Sequence, residues 1–550
     1  MLTIGLHGVP GRDADGTSHD HGVAVMENGR VVYCQELERH TGRKHDGALD
    51  AHFEDLVGSL LRPGEPVQIV LVNSFTGCDF RSARGMLEIT GAGDLEVPEI
   101  LAECRGRLKI QGTPHPARFY TICHEMAHVA TGLPFFGPFP SNSLLIHVDG
   151  GASRSCASAW YWDGRQVTCL DHGWHAGLKG AANNFNDSPL SRWILGLDAK
   201  DHLSMPGKLM GLASFGRPDL ATTEWLTRHA WMRDGSLFRD EACAALQRGL
   251  PGLPLVAFSP RDRGSQVLAA CMQRHFEEEV LAYIRTHQAS TGARHLYYSG
   301  GAALNIHANV RIEQELGFES VSIPPAPSDA GLALGAAAFL EWRAGHDVRP
   351  HSPFLNTVPI ESPAIAAAGV PILRTPDEAA KAIADGKIIG VWAGDAEVGP
   401  RALGHRSLLA RPDSVSLRRR LSEDMKQREW YRPVAPMLLP EVAREALVGY
   451  VDGSALGRFM LGAWPLAPGW LAPFEGCVHA DGTVRAQIVD EHAPQLDHIH
   501  QVLRTLRHRY GVQGVINTSF NTRGMPIVHR ISEAVRVARE LGLDALWLVT

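Results

Sequence analysis

Ser143-Leu144-Leu145-Ile146-His147-Val148-Asp149-Gly150-Gly151 is an apolar run closed by an aspartate and two glycines. Such a run reads as a buried strand, with Asp149 at its carboxyl end, where α/β folds build their sites. Gly150 and Gly151 add bare backbone amides, which suit an anion better than a peptide cleft. Just upstream, His124-Glu125-Met126-Ala127-His128 sets two histidines at i and i+4. These positions share one helix face, so both imidazoles can reach one cation. The same residues also spell H-E-x-x-H, in which two histidines hold zinc and the glutamate activates water for peptide hydrolysis. A helix whose histidines simply bond to carbonyls is the plain alternative. Two further loops, Ser299-Gly300-Gly301 and Asp329-Ala330-Gly331, sit at strand-to-helix junctions and favour a metal site beside a nucleotide.

The chain has 550 residues, 44% hydrophobic and 21% charged, which fits a globular protein of several domains with large cores. A net charge of -7 and no long basic run argue against nucleic acid as the main partner. The nine cysteines include no C-x-x-C pair, so no disulfide framework or thiolate zinc site is expected, and a cytoplasmic location fits best. No stretch is long enough for a bilayer; the Ala/Gly-rich segment 330–340 is about half that length. The start, Met1-Leu2-Thr3-Ile4-Gly5, reads as a strand rather than a signal peptide.

Working outward, strands are expected at 2–6 and 67–72, with a hairpin at Asn28-Gly29. Helices are expected at 49–61 and 119–131, and a second hairpin at Asp163-Gly164. Residues 173–255 read as an irregular insertion, followed by a long helix over 264–287. Residues 343–363 read as a linker. Beyond it, helices are expected at 377–385, 415–427 and 531–541, with strands at 388–392, 514–516 and 546–549. The expected domains are therefore 1–350 and 365–550.

The second segment carries Gly399-Pro400-Arg401-Ala402-Leu403-Gly404-His405-Arg406, then Lys426-Gln427-Arg428-Glu429 and Tyr431-Arg432-Pro433. Guanidinium forks clamp phosphate oxygens in pairs. Asn517-Thr518-Ser519-Phe520-Asn521 ends a strand with hydroxyls and amides suited to a small anion. Near the N-terminus, His19-Asp20-His21 and Lys44-His45 flank Glu36-Leu37-Glu38-Arg39, which by itself reads as a solvated charge run.

At these residues, together with Gly207-Lys208-Leu209-Met210-Gly211 and Gly300-Gly301-Ala302-Ala303-Leu304-Asn305, the chain resembles the O-carbamoyltransferases of antibiotic and nodulation-factor biosynthesis, the NodU/CmcH type. The resemblance runs along nearly the whole chain and makes the peptidase pattern a coincidence. It implies an α/β protein: an actin-like ATPase-type domain, as in tRNA threonylcarbamoyl transfer proteins, followed by a YrdC-like domain. The implied reaction forms carbamoyl-adenylate from carbamoyl phosphate and ATP, with Mg2+, and passes the carbamoyl group to a hydroxyl of a small natural product. By the same resemblance, His124, His128, Asp149 and Asp329 hold a divalent metal, Fe(II) first. Gly150, Gly151, Gly300, Gly301 and Asn305 lie against the nucleotide. Arg401, Lys426, Arg432, Arg485, Ser519 and Asn521 hold carbamoyl phosphate, with His19 as base and Lys44 facing the carbamoyl or phosphate oxygen.

Three positions depart from the family pattern: Trp392-Ala393-Gly394-Asp395 in place of an arginine-bearing run, His405 in place of asparagine, and Pro206 in place of glutamate. Rival readings are threonylcarbamoyl transfer to tRNA, an H-E-x-x-H peptidase and a non-enzymatic ATP switch. The acceptor and the oligomeric state are not legible.

Overall fold

The computed structural model describes residues 1–8, 19–74, 79–90, 95, 98–151, 154–186, 188–197, 203–228, 238–358 and 369–549. It is a mixed α/β protein built on several sheets. In the first sheet, Arg30–Glu36, Gly22–Glu27 and Leu2–His7 run antiparallel, and Val67–Val72 and Ala117–Ile122 then follow parallel. The second sheet repeats that order with Val167–Gly173, Ala157–Trp162, Ser143–Val148, His295–Ser299 and Ser320–Ser322. Asn28 and Gly29, at φ 50° and 77°, make the expected tight turn between the first two antiparallel strands.

Helices His124–Ala130 and Leu332–Arg343 lie between these sheets. Their apolar residues Met126, Ala127, Ala336 and Ala337 join Met26 and Val70 of one sheet to Leu145 and Tyr297 of the other in one core. A Cβ on Gly335 would lie 1.9 Å from the Ala127 carbonyl oxygen, so the two helices touch backbone to backbone. Because this core surrounds it, the Ala/Gly-rich helix is a buried internal one. Among the described residues no helix is long and apolar enough to cross a membrane.

Two expectations need correction. Residues 119–131 are not one helix: Phe119-Tyr120-Thr121-Ile122 belongs to strand Ala117–Ile122, paired with Val67–Val72, and the helix begins at His124. Sheet pairing of β-branched and aromatic residues overrode the helical pattern. The segment 173–255 is not irregular either. It contains helices Ala176–Asn186, Pro189–Leu195, Met205–Ala213, Leu220–Arg228 and Arg239–Gly249, which help cover the long helix Arg263–Thr291. Frequent Gly and Pro cut them short enough to hide their periodicity.

In the expected linker, Phe354–Asn356 adds to the first sheet beside Arg30–Glu36, and Ala396–Glu397 adds outside it. Asn356 accepts the Glu36 amide at 2.9 Å and donates to the Glu397 carbonyl at 2.8 Å. A third sheet, seven-stranded, is ordered Ile372–Leu373, Ala545–Val549, Ile389–Ala393, Arg406–Ala410, Val515–Ser519, Ala435–Leu438 and Gln487–Ile488. The helix expected over 415–427 is α-helical only at Val415–Arg419 and widens to a π-turn at Arg420–Met425. Such turns often mark functional sites, and this one delivers Lys426 and Arg428.

Candidate functional site

Strand ends of the first lobe, the part built on sheets one and two, bring histidines and carboxylates together. His124 Nε2 and His128 Nε2 are 3.0 Å apart, and Asp329 Oδ1 lies 3.7 and 3.4 Å from them. Asp149 Oδ2 is 3.7 Å from His128 Nε2. The donor atoms of His124, His128 and Asp329 lie within 4.8 Å of one another, as do those of His128, His147 and Asp149. His128 Nδ1 donates to the Pro327 carbonyl at 2.9 Å, which leaves the Nε2 lone pair facing the cluster. Buried imidazoles and carboxylates converging this closely, with His128 fixed from behind by a carbonyl, fit a divalent cation. Two members escaped the sequence reading. His147 stacks on His128 at 5.1 Å, and its Nε2 is buried without a hydrogen bond. His7, at the end of strand Leu2–His7, lies 3.8 Å from Asp329. A histidine set in or at the end of an apolar strand was the available signal for both.

Glu125 is wholly buried and turned elsewhere. It accepts from Arg154 N at 3.0 Å and Ser155 Oγ at 3.1 Å, with His172 3.5 Å away. Burial opposes its ionisation, but His172 and the neighbouring imidazoles more than offset this and hold its pKa low. These contacts commit Glu125 Oε1 to the protein interior, which disfavours the peptidase reading.

Beside the cluster, Asp20 bridges His19 Nδ1 at 2.9 Å and His45 Nδ1 at 2.8 Å. Burial works against protonation of His19, yet the bond to Asp20 and the charge of Asp329 raise its pKa to about 9. Lys44 is exposed, and its charge reaches Lys426. The charge-run reading does not hold for Glu36 and Arg39, which are 4% and 1% exposed.

The glycine loops converge on Asp149, whose carboxylate accepts from Gly150 N and Gly301 N. Gly300 has φ +98°, and a Cβ there would lie 2.1 Å from the Val148 oxygen, so only glycine fits. Gly151 faces Trp174 and Lys179. The Asn305 side chain caps helix Ile306–Glu315 through Ala308 N and pairs with Gln273. A helix start explains that asparagine fully.

Across the lobe boundary is a cavity of about 130 Å³, rich in cationic side chains. Arg401, Arg428, Arg432 and Arg485 line it together with Ser519, and Gly207, Gly211 and His307 of the first lobe close it. Burial and mutual repulsion depress three of them: Arg401 to about 10, Arg428 to about 9, and Arg485 well down. The Nε atoms of Arg401 and Arg485 are buried without partners. Lys426 and Asn521 do not line the cavity. They stand behind Ser519, with Lys426 Nζ 3.2 Å from its hydroxyl and that hydroxyl donating to Asn521 at 2.8 Å. Arg428, which holds Thr518 and Ser519 at 2.9 and 3.0 Å, takes the lining place instead.

The departures from the family pattern are structural here. His405 stacks on Phe354 at 3.6 Å, Asp395 accepts from Val358 N, and Arg406 donates to backbone carbonyls over the Trp392 ring. Segment 325–329 connects the two sites. A Cβ on Gly399 would be 2.5 Å from the Pro325 oxygen, while the Pro327 oxygen holds His128.

Fold and site together define an α/β enzyme with an imidazole–carboxylate centre next to an arginine-lined anion cavity. The chain belongs to the carbamoyltransferase family: residues 96–338 match the description carbamoyltransferase N-terminus, and residues 380–550 carbamoyltransferase C-terminus. It is 28% identical to nodulation protein NolNO of Sinorhizobium fredii, over 96% of this chain and 78% of that protein. It is 27% identical to the 3'-hydroxymethylcephem-O-carbamoyltransferase of Amycolatopsis lactamdurans, over 96% of each. Likeness to solved structures is low. Full-length HypF in the phosphate- and nucleotide-bound form gives a TM-score of 0.29 at 12% identity, over 62% of this chain and 55% of that one. The ROK hexokinase of Thermus thermophilus gives 0.27 at 15%, over 63% and 100%.

Proposed function

We propose that this enzyme is an ATP-dependent O-carbamoyltransferase that activates carbamoyl phosphate in the arginine cavity and transfers the carbamoyl group to a hydroxyl of a small molecule. The observation that carries this is the cavity itself: four guanidiniums crowd a small volume at a cost in repulsion that a bound dianion relieves. In balance, carbamoyl phosphate, ATP and one water give carbamoyl-adenylate, orthophosphate and pyrophosphate. The acceptor oxygen then displaces AMP and loses its proton. The repeated sheet order supports reading the first lobe as actin-like ATPase-type, and the third sheet would be its YrdC-like partner.

His124, His128, Asp149 and Asp329 would hold a divalent metal, with iron(II) suited to that nitrogen and oxygen set. When bound, it supplies Lewis-acid polarisation of the carbamoyl carbonyl. Gly150, Gly151, Gly300 and Gly301 would lie near Mg2+-ATP. His19, its Nδ1 held by Asp20, presents Nε2 towards an acceptor proton. Against burial, the bond to Asp20 and the charges of Asp329 and Asp149 hold its pKa at about 9, so the imidazole must give up a proton before it acts as base.

Pyrophosphate release and carbamoylated product, followed together with ATP and carbamoyl phosphate, test the scheme. Arg401→Ala should stop both. His124→Ala should keep pyrophosphate release and lose transfer. A folded His124 variant without pyrophosphate release would refute the division of labour.

A further inference from the structure

The cavity lining is not uniformly donating. Thr518 Oγ1 accepts from Arg428, and Ser519 Oγ accepts from Arg428 and Lys426. Two buried side-chain acceptors of the lining have no hydrogen-bond partner. His479, 7% exposed, lines the cavity with Nε2 buried and unpartnered. Asn517, fully buried, also lines it, and its Oδ1 lacks a partner because both amide hydrogens go to Ala402 O at 2.8 Å and Gln487 Oε1 at 2.9 Å.

The His479 tautomer follows from its neighbours. Thr483 Oγ1 donates its single hydrogen to Asp481 at 2.7 Å, since a carboxylate only accepts. The 3.2 Å contact between Thr483 Oγ1 and His479 Nδ1 must then carry the proton on nitrogen. Nε2 is thereby left as a bare lone pair. The turn is rigid: His479 N donates to Thr483 O at 2.8 Å, and Gly482 N to His479 O at 3.0 Å. Burial, with His307 and Arg485 adding to it and Asp481 opposing, keeps the ring neutral with a pKa of about 3.

We infer that His479 Nε2 and Asn517 Oδ1 accept the N–H groups of the bound substrate, so that the cavity selects an amide-bearing acyl phosphate over analogues of equal charge. The inference rests on the carbamoyl phosphate reading and specifies how the carbamoyl end is recognised. Arginines read only the phosphate, which acetyl phosphate and orthophosphate share. A site built to pair an N–H discriminates strongly against an analogue lacking it, because the buried acceptor is then left bare.

Phosphonoacetamide and acetonylphosphonate are stable ligands that differ in NH2 against CH3. Calorimetric titration of the full-length protein with both, and with orthophosphate, tests the idea. Wild type should prefer the amide by about tenfold. His479→Leu should lose that preference while orthophosphate affinity stays within about twofold, and His479→Gln, which keeps an acceptor, should recover part of it. Persistence of the preference in His479→Leu, its absence in wild type, or equal weakening of all three ligands would overturn the role of His479. Failure of wild type to bind any of the three would instead overturn the carbamoyl phosphate reading beneath it.

Discussion

Arg401, in its Gly/Pro loop, is buried with an unsatisfied Nε. Arg406, five residues on, looked equivalent, but its guanidinium is consumed by carbonyls of residues 393, 394, 405 and 529. Only the fold separates them. The crowding of Arg401, Arg428, Arg432 and Arg485 has a consequence for stability. Arg485→Met should make the ligand-free protein more stable to urea by about 1–2 kcal/mol, since it relieves repulsion in a low-dielectric pocket. The same variant should lose the stabilisation that added orthophosphate gives the wild type, as parallel urea titrations with and without phosphate would show. Glu125 makes the converse case. Its neighbours in sequence advertise catalysis, whereas its contacts are internal. Glu125→Ala should cost about 2–3 kcal/mol in the same titrations, because Arg154 N, Ser155 Oγ and His172 are left facing a void.

Elements with complete local signals were readable to within a residue or two. Ser143–Val148 is buried at all six positions, and Ile531–Leu541 has one apolar face bearing Ala534, Val537, Ala538 and Leu541. Legibility fell where tertiary pairing chose between strand and helix, as at 117–122, or where short helices broke at Pro and Gly, as in 173–255. Strand Phe354–Asn356 was hidden inside a Pro-rich stretch, because its partner lies over three hundred residues away. Packing of the third sheet also sets a pH dependence. Burial lowers His498 to about 4 and His529 to about 3, with His405 and Arg406 respectively adding to the effect. The unfolded chain, with histidines near 6.5, therefore binds more protons than the fold between about 4 and 6.5. These two groups should make stability fall on acidification, by about 1.4 kcal/mol per pH unit for each group below 6.5, and add no slope above about pH 7. Urea midpoints at pH 7.5, 6 and 5 would show this, and replacing His529 by glutamine should flatten the slope. An unchanged slope would assign the acid sensitivity to other groups.

At the scale of the whole molecule, the question is what keeps two chemically different sites in register. The short helix Leu37–Thr41 of the first lobe sends Arg39 into the boundary, where its Nη2 donates to Gly399 O at 2.9 Å and its Nη1 to Ile527 O at 3.3 Å. Glu36 receives Arg39 Nε at 3.1 Å and also accepts the Gly399 amide. Both carbonyls belong to the arginine-bearing lobe, and Gly399 immediately precedes Pro400-Arg401. On its other side, Gly399 packs on Pro325, two residues from the carbonyl that orients His128. The clamp therefore fixes the spacing between the anion cavity and the histidine cluster without touching either ligand set. In the proposed scheme a mixed anhydride would pass between them, and it would survive only if water is kept out of the route. Replacing Arg39 with leucine should thus leave carbamoyl phosphate-dependent pyrophosphate release within about threefold of wild type, as nothing in the cavity lining changes, yet lower the yield of carbamoylated product per pyrophosphate by about tenfold or more. The missing carbamoyl groups should appear as ammonia and carbon dioxide from hydrolysis. If product and pyrophosphate fall together, the clamp shapes the cavity instead, and if both stay unchanged, the lobes are held in register by the shared first sheet alone.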